Sequence, residues 1–245
     1  MDRMIYLSMT GAKALMQRQE ALAHNLANAE TTGFRADLMA FRAVPARQDG
    51  TATTRVYAME ASAGFDPQAG PIRQTGRSLD VAVDGQGWIA VQGADGQEAY
   101  TRDGAFELSS DGTLTTRRGH VVLGDGGPLV VPQNADVLIG SDGTVSAKVG
   151  NQAAVQVGRL KLVNPPAGEL IKGGDGLLRR SDGEAADADP QVRVVDGALE
   201  GSNVNVVEAM VGMIALSRQF ELQMKLLQNA EGNEQKAAQL LSIRG

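Results

Sequence analysis

The chain is 245 residues long, has a formal net charge of −6 and contains no cysteine. The lack of cysteine excludes disulfides, zinc–thiolate sites and cysteine nucleophiles. The acidic balance, without any long basic run, argues against nucleic acid as a partner. Only 4% of the residues are aromatic, so a core must consist mainly of aliphatic side chains.

The first predicted element is an N-terminal helix within residues 1–33. Small and apolar residues recur there at intervals of four and three, the period of one helix face. Gly33 is placed to end this helix, because glycine adopts the left-handed conformation at little cost. An ordinary core helix would show the same pattern. The residues of the stripe are Leu7, Gly11, Ala14, Arg18, Ala21, Asn25 and Asn28, with Leu15, Leu22 and Leu26 beside it.

Residues 34–75 are predicted to be an extended linker region. Proline and glycine interrupt every apolar run in this segment, which is typical of irregular or extended chain. We expect one strand within it, at residues 51–59. The interruptions are Pro45, Asp49 with Gly50, Asp66 with Pro67, and Gly70 with Pro71.

Residues 76–200 are predicted to form an all-β domain of short antiparallel strands. Ten Asp-Gly pairs occur in the sequence, and eight of them fall between residues 80 and 183. Asp-Gly supplies the positive φ that tight hairpin turns need, so this density indicates many short strands. Residues 110–113 and 141–144 nearly repeat one such turn. Strands are expected at residues 79–83, 88–91, 121–123, 129–131, 137–139 and 160–163.

The last predicted element is a C-terminal helix within residues 201–245. Asn205, with Glu208 three residues later, is typical of a capping box. Apolar residues then follow a heptad that is broken only at Glu231 and Glu234. A helix from Asn205 to about Ile243 is roughly 57 Å long, more than a small domain needs, and favours a coiled coil. The heptad comprises Val206, Met210, Met213, Ser217, Phe220, Met224, Leu227, Ala238 and Leu241.

The predicted fold class is therefore mixed α and β. An all-β central domain of short antiparallel strands is flanked by N- and C-terminal helices that pair as a coiled coil. Ordering these helices costs more backbone entropy than their apolar stripes return on burial. We expect the ends to be loose in the free monomer and to order on assembly. A stable intramolecular coiled coil is the alternative.

The sequence shows no catalytic constellation. His24 and His120 are nearly a hundred residues apart, and Gly85 and Gly87 lack the following helix that a dinucleotide-binding loop requires. A pair of carboxylates of the kind that glycosidases use stays possible, because acidic residues are plentiful. We expect no enzyme activity, no cofactor, no metal and no small-molecule substrate.

Four separated segments carry a recognisable pattern. They are residues 22–28 with 31–35, residues 77–88, residues 100–106, and residues 199–204 continuing to 218–221. In this order they resemble the flagellar axial proteins of bacteria, which build the rod and hook, over nearly the whole chain. The resemblance is strongest to proximal-rod members at residues 1–2, 34–36 with 41–45, and 220–225. The longer insertion that distal-rod members usually carry after the first helix is also missing. Arg35 and Gln223 depart from the residues common in the family.

The resemblance implies a structural subunit of the basal-body rod that transmits torque through interlocked helices. It also implies export as an unfolded chain through the flagellar type III apparatus, and assembly in the rod across the periplasm. Residues 1–16 lack the continuous apolar region of a cleavable signal peptide, which fits such export. The implied partners are the distal-rod protein, neighbouring proximal-rod proteins and copies of the chain itself.

Two other functions stay open. The alternative most similar to the proximal-rod function is that of a different axial protein, of the distal rod or hook. The other belongs to a different class, a β-domain binding module or hydrolase that its end helices merely dimerise.

We expect the assembly interface at the ends of the two helices and along the C-terminal heptad. Helix capping and core packing would explain several of the same residues. Methionine side chains adapt to non-identical neighbours, which suits a junction between rod segments. The predicted interface comprises Leu7, Leu15, Leu22, Asn25, Asn28, Phe34, Asn203, Asn205, Met210, Met213, Phe220, Met224 and Leu227.

Overall fold

The computed structural model describes residues 2–45 and 56–242, with side chains for residues 9–40, 64–229 and 232. The chain forms two compact units. The first, called the helical unit, contains Met1–Ala27, Asp37–Gly64 and Asn205–Gly245. The second, called the β unit, contains Asn28–Ala36 and Phe65–Val204. Each unit therefore combines segments that are distant in the sequence.

Two long helices dominate the helical unit. Helix α1 spans Asp2–Ala27, and helix α2 spans Val206–Ser242. Strands β1 (Asp37–Pro45) and β2 (Val56–Phe65) pair with each other. Over their described residues, neither helix is long and apolar enough to cross a membrane. The two predicted helices are thus confirmed.

Helices α1 and α2 run antiparallel where they touch. A Cβ added at Gly11 would lie 2.9 Å from Nε2 of Gln223, and one added at Gly212 would lie 3.0 Å from Cδ1 of Leu22. Because position 11 meets 223 while position 22 meets 212, the chain directions oppose each other. A glycine at each crossing lets the two helices approach closely. Supercoiling of this pair stays a prediction.

Half of the residues on the face of α2 that packs on α1 are those of the predicted heptad. The other half lie one residue earlier in the sequence than predicted. Met213, Phe220 and Leu227 are half-buried, as that heptad requires. Their companions on the packed side are Ala209, Leu216 and Gln223, whereas the predicted Met210, Ser217 and Met224 are exposed. Both sets fit a heptad spacing. The close approach at Gly11 and Gly212 selects the set with Ala209 for the contact within the chain, and the role of Met210 and Met224 between subunits stays a prediction.

The β unit is a set of antiparallel strands, as predicted, interrupted in its described residues by one 3₁₀ turn at Ala167–Glu169. The main sheet has the strand order β15-β16-β6-β5-β9-β8-β7, with β10 beside β9 and β14 beside β5. Further sheets are β11-β12-β13, β17-β4 and β18-β3. The strands are β3 Ile72–Gln74, β4 Val81–Asp84, β5 Trp88–Gln92, β6 Glu98–Thr101, β7 Phe106–Leu108, β8 Leu114–Thr116, β9 Val121–Gly124, β10 Gly127–Pro128, β11 Ala135–Ile139, β12 Thr144–Val149, β13 Val155–Arg159, β14 Leu162–Val163, β15 Leu170–Lys172, β16 Leu178–Arg180, β17 Arg193–Asp196 and β18 Ala198–Glu200.

Aliphatic side chains fill the core of the β unit, as the composition requires. A larger cluster includes Ile89, Phe106 and Leu114, and a smaller one surrounds Trp88 and Tyr100. Burial of apolar surface contributes about 25 cal/mol per Å², so both clusters stabilise this unit.

The Asp-Gly turns connect the strands as expected. Six of the eight glycines in the pairs between residues 80 and 183 have positive φ. The repeated turn is confirmed, because Asp111 and Asp142 each accept hydrogen bonds from the backbone N–H and the hydroxyl of the threonine two residues later. These threonine hydrogen bonds stabilise the carboxylates and lower the pKa of both aspartates.

The predicted linker at residues 34–75 is not one segment. Strands β1 and β2 pair inside the helical unit, residues 28–36 are part of the β unit, and β3 pairs with β18 from the far end of the chain. Of the strand predicted at residues 51–59, residues 56–59 are described and lie in β2, and the rest lie outside the described residues. The sequence contains no local indication of β3, because its partner β18 lies more than a hundred residues away.

Candidate assembly site

Glu200 is the centre of a buried ionic cluster in the β unit. Its side chain is 1% exposed, because β18 carries it into the unit beside β3. Oε1 lies 2.6 Å from Nη2 of Arg35, and Oε2 accepts a 2.8 Å hydrogen bond from Nη1 of Arg102. The backbone N–H of Gly70 also donates to Oε1, at 2.8 Å. One carboxylate therefore holds three separate segments.

The two arginines of the cluster share the ring of Trp88. The guanidinium carbons of Arg35 and Arg102 lie 5.5 and 5.1 Å from the ring centroid, within the range of cation–π attraction. Phe65 meets the same ring edge-on, with centroids 5.8 Å apart. The cluster holds two cations against one anion, and the aromatic face offsets part of the excess positive charge.

Arg102 and Arg35 differ in how well their nitrogens are satisfied. Arg102 donates from Nη2 to the carbonyl of Gly85 at 2.7 Å. Burial lowers the pKa of Arg102, the carboxylate of Glu200 raises it again, and the charge of Arg35 lowers it. None of the three guanidinium nitrogens of Arg35 has a hydrogen-bond partner among the described residues. Arg35 therefore depends on Glu200 as an ion-pair partner and on Trp88 as an aromatic one.

This cluster is where four separated stretches of sequence meet. Arg35 comes from residues 31–35, Trp88 from residues 77–88, Arg102 from residues 100–106 and Glu200 from residues 199–204. These are the segments that carry the family resemblance, with the first helix excepted. Within the β unit, the segments that carry the family resemblance therefore contact one another at this single cluster.

Gly33 brings residues 31–36 close to the strand that ends at Arg102. Its φ is +67°, and an added Cβ would lie 2.2 Å from the carbonyl carbon of Arg102. Its N–H donates to the backbone carbonyl of Glu200 at 2.8 Å. Gly33 was predicted to end the first helix, but α1 ends at Ala27, so the glycine serves this close approach instead.

Phe34 is buried in the β unit beside Lys172. Nζ of Lys172 lies 3.9 Å from the centroid of the Phe34 ring and donates to the carbonyl of Arg35 at 2.7 Å. Asn28, also a predicted interface residue, accepts hydrogen bonds from the N–H and hydroxyl of Thr31. Both residues thus shape the segment that leads into the cluster.

Asn203 joins residues 28–36 to the segment after β2. Its Oδ1 accepts the N–H of Ala36 at 2.7 Å, and its Nδ2 donates to the carbonyls of Asp66 and Gln68 at 3.1 and 3.0 Å. One side-chain amide therefore satisfies three backbone groups on two segments.

Replacing Asn203 with alanine is expected to destabilise the β unit by roughly 2–4 kcal/mol, since three hydrogen bonds of about 1 kcal/mol net each are lost. Urea unfolding followed by the fluorescence of Trp88 measures this change. The exposed Asn151 provides the control, and its replacement with alanine should change the stability by at most about 0.5 kcal/mol. Equal effects of the two substitutions would contradict the proposed role of Asn203.

Two asparagines fix the ends of the helices in the helical unit. The buried Asn25 accepts the N–H of Asp37 at 2.8 Å and donates to the carbonyl of the same residue at 3.0 Å. Asn205 caps α2, because its Oδ1 accepts the N–H groups of Val207 and Glu208 at 3.1 and 3.2 Å. The predicted asparagine cap is confirmed.

The remaining predicted interface residues lie in the helical unit. Leu15 and Leu22 are half-buried on α1, while Met210 and Met224 are exposed on α2. The side chain of Leu7 lies outside the described residues. Their role in assembly stays a prediction. Among the side chains that the structure describes, no group of three or more histidines and carboxylates is placed to hold a metal ion.

Prediction from the sequence missed Glu200, Arg102 and Trp88 as members of one site. Each lies in a segment that the family resemblance had marked, which was the available signal. Nothing local indicated that Glu200 would pair with Arg102, because 98 residues separate them.

Comparison with known proteins gives a consistent result along the chain. Residues 5–35 match a family model described as flagella basal body rod protein. Residues 82–147 match the flagellar hook protein FlgE/F/G D1 domain, and residues 195–240 match the flagellar basal body rod FlgEFG protein C-terminal model. The three matches cover parts of both units.

Individual relatives match over their full length. The chain is 45% identical to the flagellar basal-body rod protein FlgF of Escherichia coli (strain K12), over 99% of this chain and 100% of that protein. The FlgF protein of Salmonella typhimurium is 44% identical with the same coverage. The flagellar basal-body rod protein FlgG of Buchnera aphidicola subsp. Schizaphis graminum is 31% identical, over 96% of this chain and 98% of that protein.

Proposed function

The chain belongs to the flagellar basal-body rod proteins of the FlgF type and is a structural subunit of that rod, and from this premise we propose that it builds the proximal segment. Its partners there are copies of itself, neighbouring proximal-rod proteins and the distal-rod protein. It reaches the rod through the flagellar type III export apparatus and takes its place across the periplasm. The packed helices transmit torque along the rod.

The exposed apolar surface of the helical unit is the observation that supports polymerisation. Several large apolar side chains remain exposed on α1 and α2 after the two helices have packed together. Exposed apolar surface that exceeds scattered single residues indicates a binding surface. The residues are Met9, Met16, Val206, Val207, Met210, Val211, Ile214, Leu222, Met224 and Leu226.

The same surface suggests how the ends become ordered. Each helix buries only one face against the other, so neighbouring subunits are needed to cover the remaining apolar residues. We therefore propose that assembly completes the ordering of α1 and α2. A helical circular dichroism signal that increases with protein concentration would support this proposal.

Genetic complementation tests the proposed place in the rod. In Escherichia coli cells that lack their FlgF protein, the chain should restore filaments and swimming and should be present in isolated basal bodies. It should not restore cells that lack FlgG, which separates the proximal from the distal role. The full chain with Val207→Asp and Val211→Asp should fail to restore swimming, because two carboxylates would interrupt the exposed apolar surface.

Arg218→Asp is the matched control on the same helix, since Arg218 is exposed and already polar. That variant should restore swimming as the unaltered chain does. Restoration of cells lacking FlgG, with no restoration of cells lacking FlgF, would contradict the proximal assignment and favour the distal-rod alternative.

A further inference from the structure

The Asp-Gly pairs of the β unit are chemically reactive as well as turn-forming. The backbone nitrogen of a glycine can attack the side-chain carboxyl carbon of the preceding aspartate, because glycine has no Cβ to shield that nitrogen. A C–N bond forms, the proton of the nitrogen and the hydroxyl of the neutral carboxyl leave as one water molecule, and a succinimide ring remains. Water then opens the ring at either carbonyl and gives aspartate or isoaspartate. Isoaspartate carries the main chain through its side chain, so the backbone becomes one carbon longer.

Hydrogen bonds oppose this reaction in five of the described pairs. In each, the aspartate carboxylate accepts the N–H two residues later, and the glycine N–H donates to the carbonyl three residues before it. Both reacting groups are therefore tethered, and the carboxyl carbon cannot turn toward the glycine nitrogen until these bonds break. The five pairs begin at Asp95, Asp111, Asp142, Asp175 and Asp182.

Three other pairs are held by the fold. Asp84 and Asp196 lie in the ladder between β4 and β17, where their backbones are paired. Burial raises the pKa of Asp103 and so favours the neutral carboxyl that reacts. Its carboxylate accepts the N–H of Ala105, however, and a Cβ at Gly104 would overlap the backbone of β4. The peptide after Asp103 therefore has no room to rotate.

Asp125 and Gly126 form the exposed loop between β9 and β10, and they differ from all these pairs. Among the residues that the structure describes, neither the carboxylate of Asp125 nor the N–H of Gly126 has a hydrogen-bond partner. A Cβ added at Gly126 or at Gly127 would meet nothing within 4 Å, so the peptide between residues 125 and 126 has room to rotate. The N–H of Asp125 donates to the carbonyl of Arg159 at 3.2 Å, on the other side of Cα from the reacting nitrogen.

We propose that Asp125 is a site of spontaneous isoaspartate formation in the folded protein, with the backbone nitrogen of Gly126 as the attacking group. The product lengthens the loop by one main-chain carbon, and the short pairing of β9 with β10, which has two residue pairs, must readjust. The reaction needs only water and no enzyme. Its product therefore accumulates with the age of the chain.

Labelling with heavy oxygen tests this site, because each opening of the succinimide adds one oxygen atom from the solvent. The purified full chain is incubated at neutral pH in heavy-oxygen water and digested with trypsin in ordinary water. Cleavage after Arg118 and Lys148 gives one peptide, residues 119–148, that carries both Asp125 and the hydrogen-bonded Asp142. Electron-transfer fragmentation assigns the label to either position and identifies isoaspartate by cleavage at the added main-chain carbon. The label at Asp125 should exceed that at Asp142 by at least about tenfold, because hydrogen bonds to the Asp142 carboxylate must break first.

Unfolding provides the control for local sequence, since both aspartates precede a glycine. In urea the two pairs lose their different surroundings, so Asp125 and Asp142 should take up label at similar rates. Similar labelling of the two positions in the folded chain would overturn the proposal. A preference for Asp125 that persists unchanged in urea would also overturn it, because the cause would then be the sequence.

Gly126→Ala tests the attacking nitrogen. Gly126 is not among the glycines with positive φ, and its added Cβ meets nothing within 4 Å, so the loop can accept alanine. The methyl group shields the nitrogen, and the label at Asp125 should fall several-fold while the label at Asp142 in the same peptide stays unchanged. Undiminished labelling at Asp125 in this variant would exclude Gly126 as the attacking group.

Discussion

Replacing Glu200 with glutamine is expected to lower the free energy of unfolding of the β unit by about 3–5 kcal/mol. Glutamine keeps the shape of the side chain and removes its charge. Arg35 and Arg102, which are both buried, would then have no counter-charge. The loss is large because a buried cation without an anion retains its full desolvation penalty.

Urea unfolding of the full chain measures this loss through the fluorescence of Trp88. The matched control is Glu107→Gln, which removes an exposed ion pair with Arg117 in the same unit. That change should cost at most about 1 kcal/mol, as exposed pairs do. If the two substitutions were equally costly, the cluster would not be a major contributor to stability.

A second substitution separates charge imbalance from lost packing. Adding Arg35→Met to the Glu200→Gln chain removes one of the two uncompensated cations and keeps an apolar side chain beside Trp88. The double variant should recover stability relative to Glu200→Gln alone, with a coupling of about 0.5–3 kcal/mol. A further loss equal to that of Arg35→Met in the natural chain would show that the charges act independently.

Replacing Gly33 with alanine is expected to cost roughly 2–5 kcal/mol. The left-handed conformation of residue 33 costs about 1–2 kcal/mol for any side chain with a Cβ. The new methyl group would also lie 2.2 Å from the carbonyl carbon of Arg102 and 2.4 Å from the backbone nitrogen of Asp103, so backbone must move. Such overpacking adds about 1–3 kcal/mol.

Gly96→Ala isolates the steric part of this effect. Gly96 has a φ of +78°, close to the +67° of Gly33, and nothing lies within 4 Å of its added Cβ. It should therefore show only the conformational cost. Urea unfolding compares the two variants, and amide hydrogen exchange at residue 33 should become faster in Gly33→Ala. A loss no larger than that of Gly96→Ala would contradict the close approach.

Glu200→Gln and Gly33→Ala both affect contacts that hold the two ends of the β unit's sequence together. The cluster needs Arg35 from before the strands and Glu200 from after them, so the unit is complete only when both ends of its sequence are docked. These ends lead directly into α1 and α2. The stability of the β unit thus depends on the two segments that adjoin α1 and α2 in the sequence.

The sequence alone was sufficient for the two long helices and for the β character of residues 76–200. The period of α1 and α2, the Asn205 cap and the Asp-Gly turns are local signals, and the structure agrees with each. The family could also be recognised, because short motifs in a fixed order are local as well. These features depend on neighbours within about ten residues, so a single chain displays them directly.

Only the tertiary structure decided which surfaces meet. A heptad spacing fitted two faces of α2, and the close approach at Gly11 and Gly212 selected one, leaving Met210 and Met224 exposed. The partnership of Glu200 with Arg35 and Arg102 likewise has no local signature. Burial removes a charge from water wherever the fold brings it, and the partner that compensates it can come from any point in the sequence. Contacts of this kind are set by packing across the whole unit, which residue spacing does not encode.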